Sequence, residues 1–344
     1  MRILVTGGAG FIGSHLVEEL LARGHAVHVL DDLSTGSLHN LASVRDHPTL
    51  SVTTASSDDS GVIAELVEEA DFVYHLAAAV GVQLIVDSPV RTIETNVHTA
   101  ETVLAAASKR RRPVFIASTS EVYGKSAALP FREDGDIVMG ATTRGRWSYA
   151  CSKALDEFLA IAYHRERGLP TVVGRLFNTV GPRQTGRYGM VVPTLVRQAL
   201  TGQPITVFGT GEQQRCFCHV RDVVRALCDL LGRHDLYGEV LNIGSTEEVS
   251  IIELAERIRQ ETRSESEIVL IPYDEAYGEG FEDMGRRVPD TTKVARLLGW
   301  RPTSSLDQIL ADVINSERLR TLQESEPALL ASLANGADRM VQNE

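Results

Sequence analysis

Residues 3–20, ILVTGGAGFIGSHLVEEL, decide the fold. Ile3, Leu4 and Val5 form a short apolar run suited to a buried strand. Gly7, Gly10 and Gly13 then recur at every third position. Leu16, Val17, Leu20 and Leu21 follow on one face of a helix. A strand, a glycine turn and a helix in that order make an anion site. Glycine lets the backbone approach a pyrophosphate, and the helix N-terminus offers free N–H donors and a positive dipole end. The next apolar run, Ala26–Leu30, ends at Asp31, 18 residues beyond Gly13. A carboxylate there can accept from both ribose hydroxyls of NAD and repels a 2′-phosphate. Asp31-Asp32-Leu33 offers no arginine that would favour NADP.

Working outward, the same alternation continues. Arg2–Val5 reads as a strand and Ile12–Arg23 as a helix ended by Gly24. Phe72–Leu76 is a strand, Arg91–Ser108 a helix and Val114–Ala117 a strand. A helix from Tyr149 to about Glu166 and a strand Thr171–Leu176 follow. Continuous apolar strands alternating with helices predict an α/β protein with a Rossmann-like doubly wound parallel sheet covered on both faces. Beyond residue 178 the pattern loosens. QPITVFG, EVLNIGS and SEIVLIPY read as isolated strands, with helices at Pro193–Gly202, Val220–Leu231 and Ile251–Thr262. These predict a smaller mixed α/β substrate-binding lobe. The expected division is residues 1–177 for the dinucleotide, with segments near 205–242 returning to it, residues 178–318 for the substrate, and a polar tail at 319–344.

Bulk composition narrows the function. A net charge of −12 argues against a nucleic-acid partner. The basic run Lys109–Arg112 suits a helix C-terminus. Cys151, Cys216, Cys218 and Cys228 lack the paired spacing of a metal site or a disulfide framework, so no metal is expected and the thiols are taken as reduced. No apolar run reaches membrane-spanning length, and the glycine-rich start is unlike a signal peptide. These points lead to the expectation of a cytoplasmic protein that does not engage a membrane.

Two stretches carry chemistry. RGRWSYACSKALDEF places Tyr149 and Lys153 four residues apart, hence on one face of a helix. A tyrosine of pKa near ~10 is a poor base at neutral pH. A nearby ammonium, together with the positive charge of an oxidised nicotinamide, stabilises its phenolate, which can then take a proton from a sugar hydroxyl. VFIASTSEVYGKS ends a buried strand in Ser118, Thr119 and Ser120 and then sets Glu121 beside them.

The glycine spacing, the Tyr-x-x-x-Lys pair and the hydroxyl-bearing strand end together resemble the extended short-chain dehydrogenase/reductases over nearly the whole chain. The resemblance implies that Thr119 bonds the same sugar hydroxyl as Tyr149 and that Lys153 also holds the nicotinamide ribose. It further implies NAD contacts from Gly7, Gly10, Phe11, Ile12, Gly13, Asp31, Ala77, Tyr149 and Lys153, with Asp58 or Ser57 near the adenine. HLAAAVG, with His75, Ala77 and Ala78, is similar to the strand that passes beneath the cofactor, and Asn96 to an asparagine tying the central helix to the sheet.

GRLFNTVGPRQ, PITVFGTGEQQRCFCHVRDVVRAL and MGRRVPDTTKVARLLGW resemble the nucleotide-sugar branch. That likeness implies UDP-sugar contacts from Asn178, Arg215 and Arg287, and a homodimer built on the helices near 91–108 and 149–166. Dehydratases of this branch follow the threonine with Asp-Glu, whereas Ser120-Glu121 stands here. Thr-Ser-Glu-Val-Tyr-Gly, Arg-Trp-Ser-Tyr and YGEGFEDMGRRVPD resemble UDP-glucuronate decarboxylases. In that reading Glu121 and Arg287 serve decarboxylation and reprotonation near C5 and C6, and Ser120 and Arg146 position the carboxylate. The product is UDP-4-keto-pentose, UDP-xylose or both. AAAVGVQLIVDSP departs from those enzymes by lacking a Pro/Tyr stretch, and Gly81-Val82 is closer to uronate epimerases. A 4-epimerase of UDP-glucuronate or UDP-glucose is therefore the alternative. Val80 and Ser120 stand where apiose-forming enzymes carry cysteines, which argues against ring contraction.

Overall fold

The computed structural model describes residues 1–81, 85, 87–186, 189–277 and 282–322. Its centre is a seven-stranded parallel sheet. The first five strands are β1 (Arg2–Thr6), β2 (Ala26–Asp31), β3 (Leu50–Thr54), β4 (Phe72–His75) and β5 (Val114–Thr119). The remaining two are β6 (Thr171–Leu176) and β11 (Val240–Ile243), and the spatial order is β11-β6-β5-β4-β1-β2-β3. The chain starts mid-sheet, runs outward to β3, then crosses back to lay β4 beside β1. That reversal opens a crevice at the carboxyl ends of the strands, where ligands of such sheets bind.

Both faces of the sheet are covered, so its strands read as continuous apolar runs. Ile3 and Val5 join a core with Leu16, Val17 and Leu20 of α1 (Phe11–Ala22) and with Val223, Val224 and Leu227 of the later helix Val220–Asp229. Leu4 points the other way, into a core with Ile63 and Val67 of α2 (Ser60–Glu69), Val103 and Leu104 of α3 (Pro89–Arg110) and Ala160 of α4 (Trp147–Arg167). Alternate Cβ atoms along a strand take opposite faces, which is how one strand feeds two cores.

After β6 the chain makes β7 (Thr179–Val180) and α5 (Val191–Leu200). It then makes β8 (Ile205–Phe208), β9 (Gln214–Cys216) and β10 (Cys218–His219), and α6 is the helix Val220–Asp229. β12 (Glu248–Ser250) and β14 (Arg286–Arg287) flank β9, and β8 pairs with β13 (Ile268–Ile271). α5, α7 (Ile251–Thr262) and the helical residues 306–322 enclose this lobe's own core around Val196, Ile205, Leu254 and Ile309.

Three points differ from the sequence reading. EVLNIGS is not an isolated strand: β11 pairs with β6, Val240 opposite Val173, at the edge of the main sheet. Leu241 and Ile243 enter the α1–α6 core. Asn242 faces the other way, where its Oδ1 accepts from the Tyr123 hydroxyl (2.8 Å) and its Nδ2 donates to the Phe131 carbonyl (2.8 Å). β3 and α2 were missed. β3 is an edge strand whose Ser51, Val52 and Thr54 are exposed, so its LSVTT carries little apolar signal. The helix at 306–322 reaches into the segment read as a tail, and residues 323–344 lie outside the described residues.

Candidate active site

At the turn after β1, Gly7 has φ +71°, and a Cβ there would lie 2.8 Å from the Ala77 nitrogen. A Cβ on Gly13 would lie 2.1 Å from the Gly7 carbonyl oxygen. Only glycine lets this loop close against α1, whose first turn has no side-chain cap and so leaves its N–H groups facing outward. Asp31 ends β2 beside the turn. Its Oδ2 accepts from the Ala9 N–H (2.9 Å) and its Oδ1 from the Leu33 N–H (2.9 Å), and burial raises its pKa. Gly7, Gly10, Phe11, Ile12, Gly13, Asp31, Ser57, Asp58 and Ala77 all line one cavity of about 1090 Å³. Ser57 is buried and Asp58 is exposed at the rim, so both remain compatible with an adenine contact. The bare helix end, the carboxylate and the glycine cradle fit a dinucleotide.

The cavity exceeds the ~300–1,000 Å³ common for a single small ligand. It continues past the ends of β4 and β5 to Tyr149, Lys153, Asn178, Arg215 and Arg287. Tyr149 and Lys153 lie one turn apart on α4 and both are buried. The Tyr149 and Thr119 side chains hydrogen-bond. Burial pushes the Tyr149 phenol well above its ordinary range, and the Glu121 charge pushes it the same way. Lys153 Nζ donates to Asp156 Oδ2 at 2.7 Å. His75, beneath, is held neutral with a pKa of about 3 by burial and by the Lys153 charge, and its Nδ1 shares a 2.8 Å hydrogen bond with the Thr6 hydroxyl. Asn96 Oδ1 accepts from the Ala79 N–H (2.8 Å) and its Nδ2 donates to Ser152 Oγ (3.1 Å), so it ties α3 to the segment after β4 and to α4.

Beyond Thr119 the chain turns tightly, and the Thr119 hydroxyl accepts from the Glu121 N–H (3.2 Å). This turn aims Glu121 into a buried group of charges. Arg146 grips it with both terminal nitrogens, one to Oε1 at 2.9 Å and the other, closer, to Oε2. Arg287 Nη1 stands 3.1 Å from Oε1. Arg215 Nη2 donates to Asp283 Oδ2 (2.7 Å), and Tyr273 donates to the same oxygen (3.2 Å). Asp283 Oδ1 lies 3.5 Å from Arg287 and 3.7 Å from Arg146. Burial alone would raise the Glu121 carboxyl. The Arg146 and Arg287 guanidiniums outweigh it and hold the pKa down to about 2. Burial and the neighbouring Arg287 lower Arg215 to about 10, which leaves it charged at neutral pH.

Among the residues expected from the sequence, the structure brings Thr119, Ser120, Glu121, Arg146, Tyr149, Lys153, Asn178, Arg215 and Arg287 to one cavity. Asn178 spends its Nδ2 donor on the Cys216 carbonyl (2.9 Å), which fixes β9. Asp156 and Asp283 went unnoticed. Asp283 lies in the quoted FEDMGRR stretch, and an unmatched surplus of expected active-site arginines was the available signal. Asp156 carries no signal beyond its place one turn after Lys153. Val82 and residues 278–281 of YGEGFEDMGRRVPD lie outside the described residues.

The family profile described as GDP-mannose 4,6 dehydratase matches residues 4–313. The chain is 42% identical over 315 residues to a UDP-N-acetyl-alpha-D-glucosaminuronate decarboxylase of Bacillus cytotoxicus, covering 91% of this chain and 96% of that one. It is 36% identical to UDP-glucuronic acid decarboxylase 6 of Arabidopsis thaliana, covering 93% and 90%. Among solved structures it resembles UDP-glucuronic acid 4-epimerase of Bacillus cereus in complex with UDP-glucuronic acid and NAD. The TM-score is 0.84 and the identity 27%, over 93% of this chain and 99% of that one.

Proposed function

The chain belongs to the GDP-mannose 4,6-dehydratase-like family of extended short-chain dehydrogenase/reductases, and on that premise we propose that it is an NAD-dependent decarboxylase of UDP-glucuronate. The observation that carries this reading is the charge balance beyond Thr119. Three buried guanidiniums, Arg146, Arg215 and Arg287, face two carboxylates, Glu121 and Asp283. Among the described residues one positive charge is left over, and the buried Nε–H of Arg287 finds no hydrogen-bond partner there. A buried cation and an unused donor favour an anionic substrate group such as a C6 carboxylate.

NAD bound in the glycine cradle would supply a hydride acceptor for C4 of the sugar, which would make C4 a ketone, and would supply the hydride for its return. Tyr149 takes the proton of the C4 hydroxyl, Thr119 orients that hydroxyl, and the Lys153 ammonium favours the phenolate. The C6 carboxylate is then β to a carbonyl. The C5–C6 bond breaks, its electron pair passes into the enolate, CO2 leaves and C5 takes a proton. Arg287, with Arg146 behind Glu121, holds the carboxylate for that step. Glu121 is ionised throughout the neutral range, so it does not itself carry the proton to C5. Its part narrows to fixing both arginines and orienting a water. Gly7, Gly10, Phe11, Ile12, Gly13, Asp31, Asp58 and Ala77 hold the dinucleotide, with residues 1–177 and the returning α6–β11 segment as its domain. Asn178 and Arg215 hold the UDP-sugar diphosphate from the lobe at 178–318.

Incubation with NAD and UDP-glucuronate labelled at C6 should release labelled CO2 and give a UDP-4-keto-pentose or UDP-xylose by NMR. Formation of UDP-galacturonate without CO2 overturns the reading in favour of the 4-epimerase. The similarity to the Bacillus cytotoxicus enzyme makes UDP-N-acetylglucosaminuronate the second substrate for the same assay.

We further propose a cytoplasmic homodimer. Val90 and Ile93 of α3 and Leu155 and Phe158 of α4 are exposed on adjacent helices, Phe158 at 67%. Apolar side chains grouped on neighbouring helices suit a four-helix contact between two copies. Phe158→Glu is expected to convert the dimer to a monomer in light scattering. A wild-type protein that is already monomeric refutes the assignment. Among the described residues no helix is long and apolar enough to cross a membrane.

A further inference from the structure

We propose that Asp156 is a positioning residue of the active site: by holding the Lys153 ammonium, it sets how readily Tyr149 gives up its proton. This rests on the reading of Tyr149 as the base.

Asp156 lies in the interior of α4 and is fully buried. One oxygen accepts from Lys153 Nζ at 2.7 Å. The other, Oδ1, is buried and has no hydrogen-bond partner among the described residues. A carboxylate is a costly choice at such a place, because desolvation is repaid only by its cation and half its acceptor capacity goes unmet. It caps no helix end and complements no dipole, being far from both termini of α4. Among the described residues Lys153 is its one ion-pair partner.

The surrounding charges leave that pair isolated. On α4 itself Glu157 is taken by Arg175 of β6, with Nη2 to Oε2 at 2.8 Å. His75 of β4 is neutral. α3 presents the uncharged Thr92, Asn96 and Thr99 on its buried side, and its Arg91, Glu94, His98 and Glu101 are exposed. Glu121 is gripped by Arg146, and its charge also raises Tyr149, with Arg146 offsetting part of that effect. The ammonium meets the carboxylate directly and stands one helical turn from the tyrosine. An ammonium so placed favours the phenolate, and the Asp156 charge opposes it.

Replacing the carboxylate by an amide of the same shape separates these effects. In the NAD-loaded Asp156→Asn protein the acid limb of the pH–rate profile, set by Tyr149, should move to lower pH by about one unit, a tenfold gain in phenolate at a given pH. Ultraviolet difference titration of the phenolate, with Tyr149→Phe as the blank, should show the same downward shift. That titration needs no sugar substrate, so it stands even if UDP-glucuronate is not turned over. Asp156→Glu, which keeps a carboxylate, should retain the wild-type acid limb. Should the amide variant fail to fold, Asp156→Ser serves in its place with the same expected shift. Uniformly reduced turnover with an unmoved profile, or a profile displaced to higher pH, overturns the proposal and leaves Asp156 a packing residue.

Discussion

Tyr149→Phe is expected to lower CO2 release from UDP-glucuronate about 10²–10⁴-fold, the usual contribution of a positioned acid/base group. The fold of the site should survive, since the phenol sits on a long helix held by Asn96, Ser152 and the Glu157–Arg175 pair rather than by its own hydroxyl. The substrate arginines are untouched by the change, so the loss belongs in kcat and not in binding. A single-turnover measurement with NAD and labelled substrate gives the number. A variant keeping more than a tenth of the wild-type rate would remove Tyr149 from the role of base.

Glu121→Gln has the next largest expected effect, and it acts on two observables. The wild-type carboxylate compensates Arg146 and Arg287 in a buried site. An amide leaves two guanidiniums close together with only Asp283 nearby, and breaking such a buried pair costs about 3–5 kcal/mol. Urea unfolding at neutral pH measures this. The sign of its pH dependence follows from the depressed carboxyl, about 2 in the folded protein against 4.5 for an unperturbed glutamate. The stabilisation is fully present above the unfolded value and is lost as pH falls through the folded one. The gap between wild type and variant should therefore narrow on acidification from pH 5 toward 2. In turnover, CO2 release should fall further than formation of NADH, because Glu121 holds the arginines of the later step and does not touch the proton taken by Tyr149. Equal loss of both steps would reassign Glu121 to holding the whole sugar.

The parts of this molecule visible from sequence are those whose signal is local. The glycine turn, Asp31 and the Tyr149–Lys153 spacing are each dictated within a few residues, by sterics at Gly7 and Gly13 and by the helical repeat. Thr171–Leu176 and Ile251–Thr262 were delimited to the residue, because each is a dense apolar pattern with sharp ends. What sequence did not disclose depends on distant partners. β11 joins the main sheet only because β6 offers it an open edge some seventy residues earlier in the chain. Asp283 matters only because Arg146 and Arg215, each far from it in sequence, converge on it. Asp156 is an ordinary helix residue until Lys153 is seen to turn toward it. The role of Glu121 was the hardest to read, since the same carboxylate is a proton carrier or a fixed anion depending on how many guanidiniums surround it.

The path of the chain carries one more implication. It leaves the main sheet after β6, builds β7 to β10, returns as α6 and β11, and leaves again. The two halves are thus stitched by several passes and cannot be cut apart at one point. A fragment of residues 1–177 would expose Leu16, Val17 and Leu20, which in the whole chain lie against Val223, Val224 and Leu227. A genetic split at residue 177 should therefore yield two insoluble pieces, and the intact chain should melt as a single unit. In evolutionary terms, the substrate half cannot be exchanged by simple shuffling of end-to-end modules. New specificity in this architecture has to arise by substitution within loops already threaded through the cofactor half.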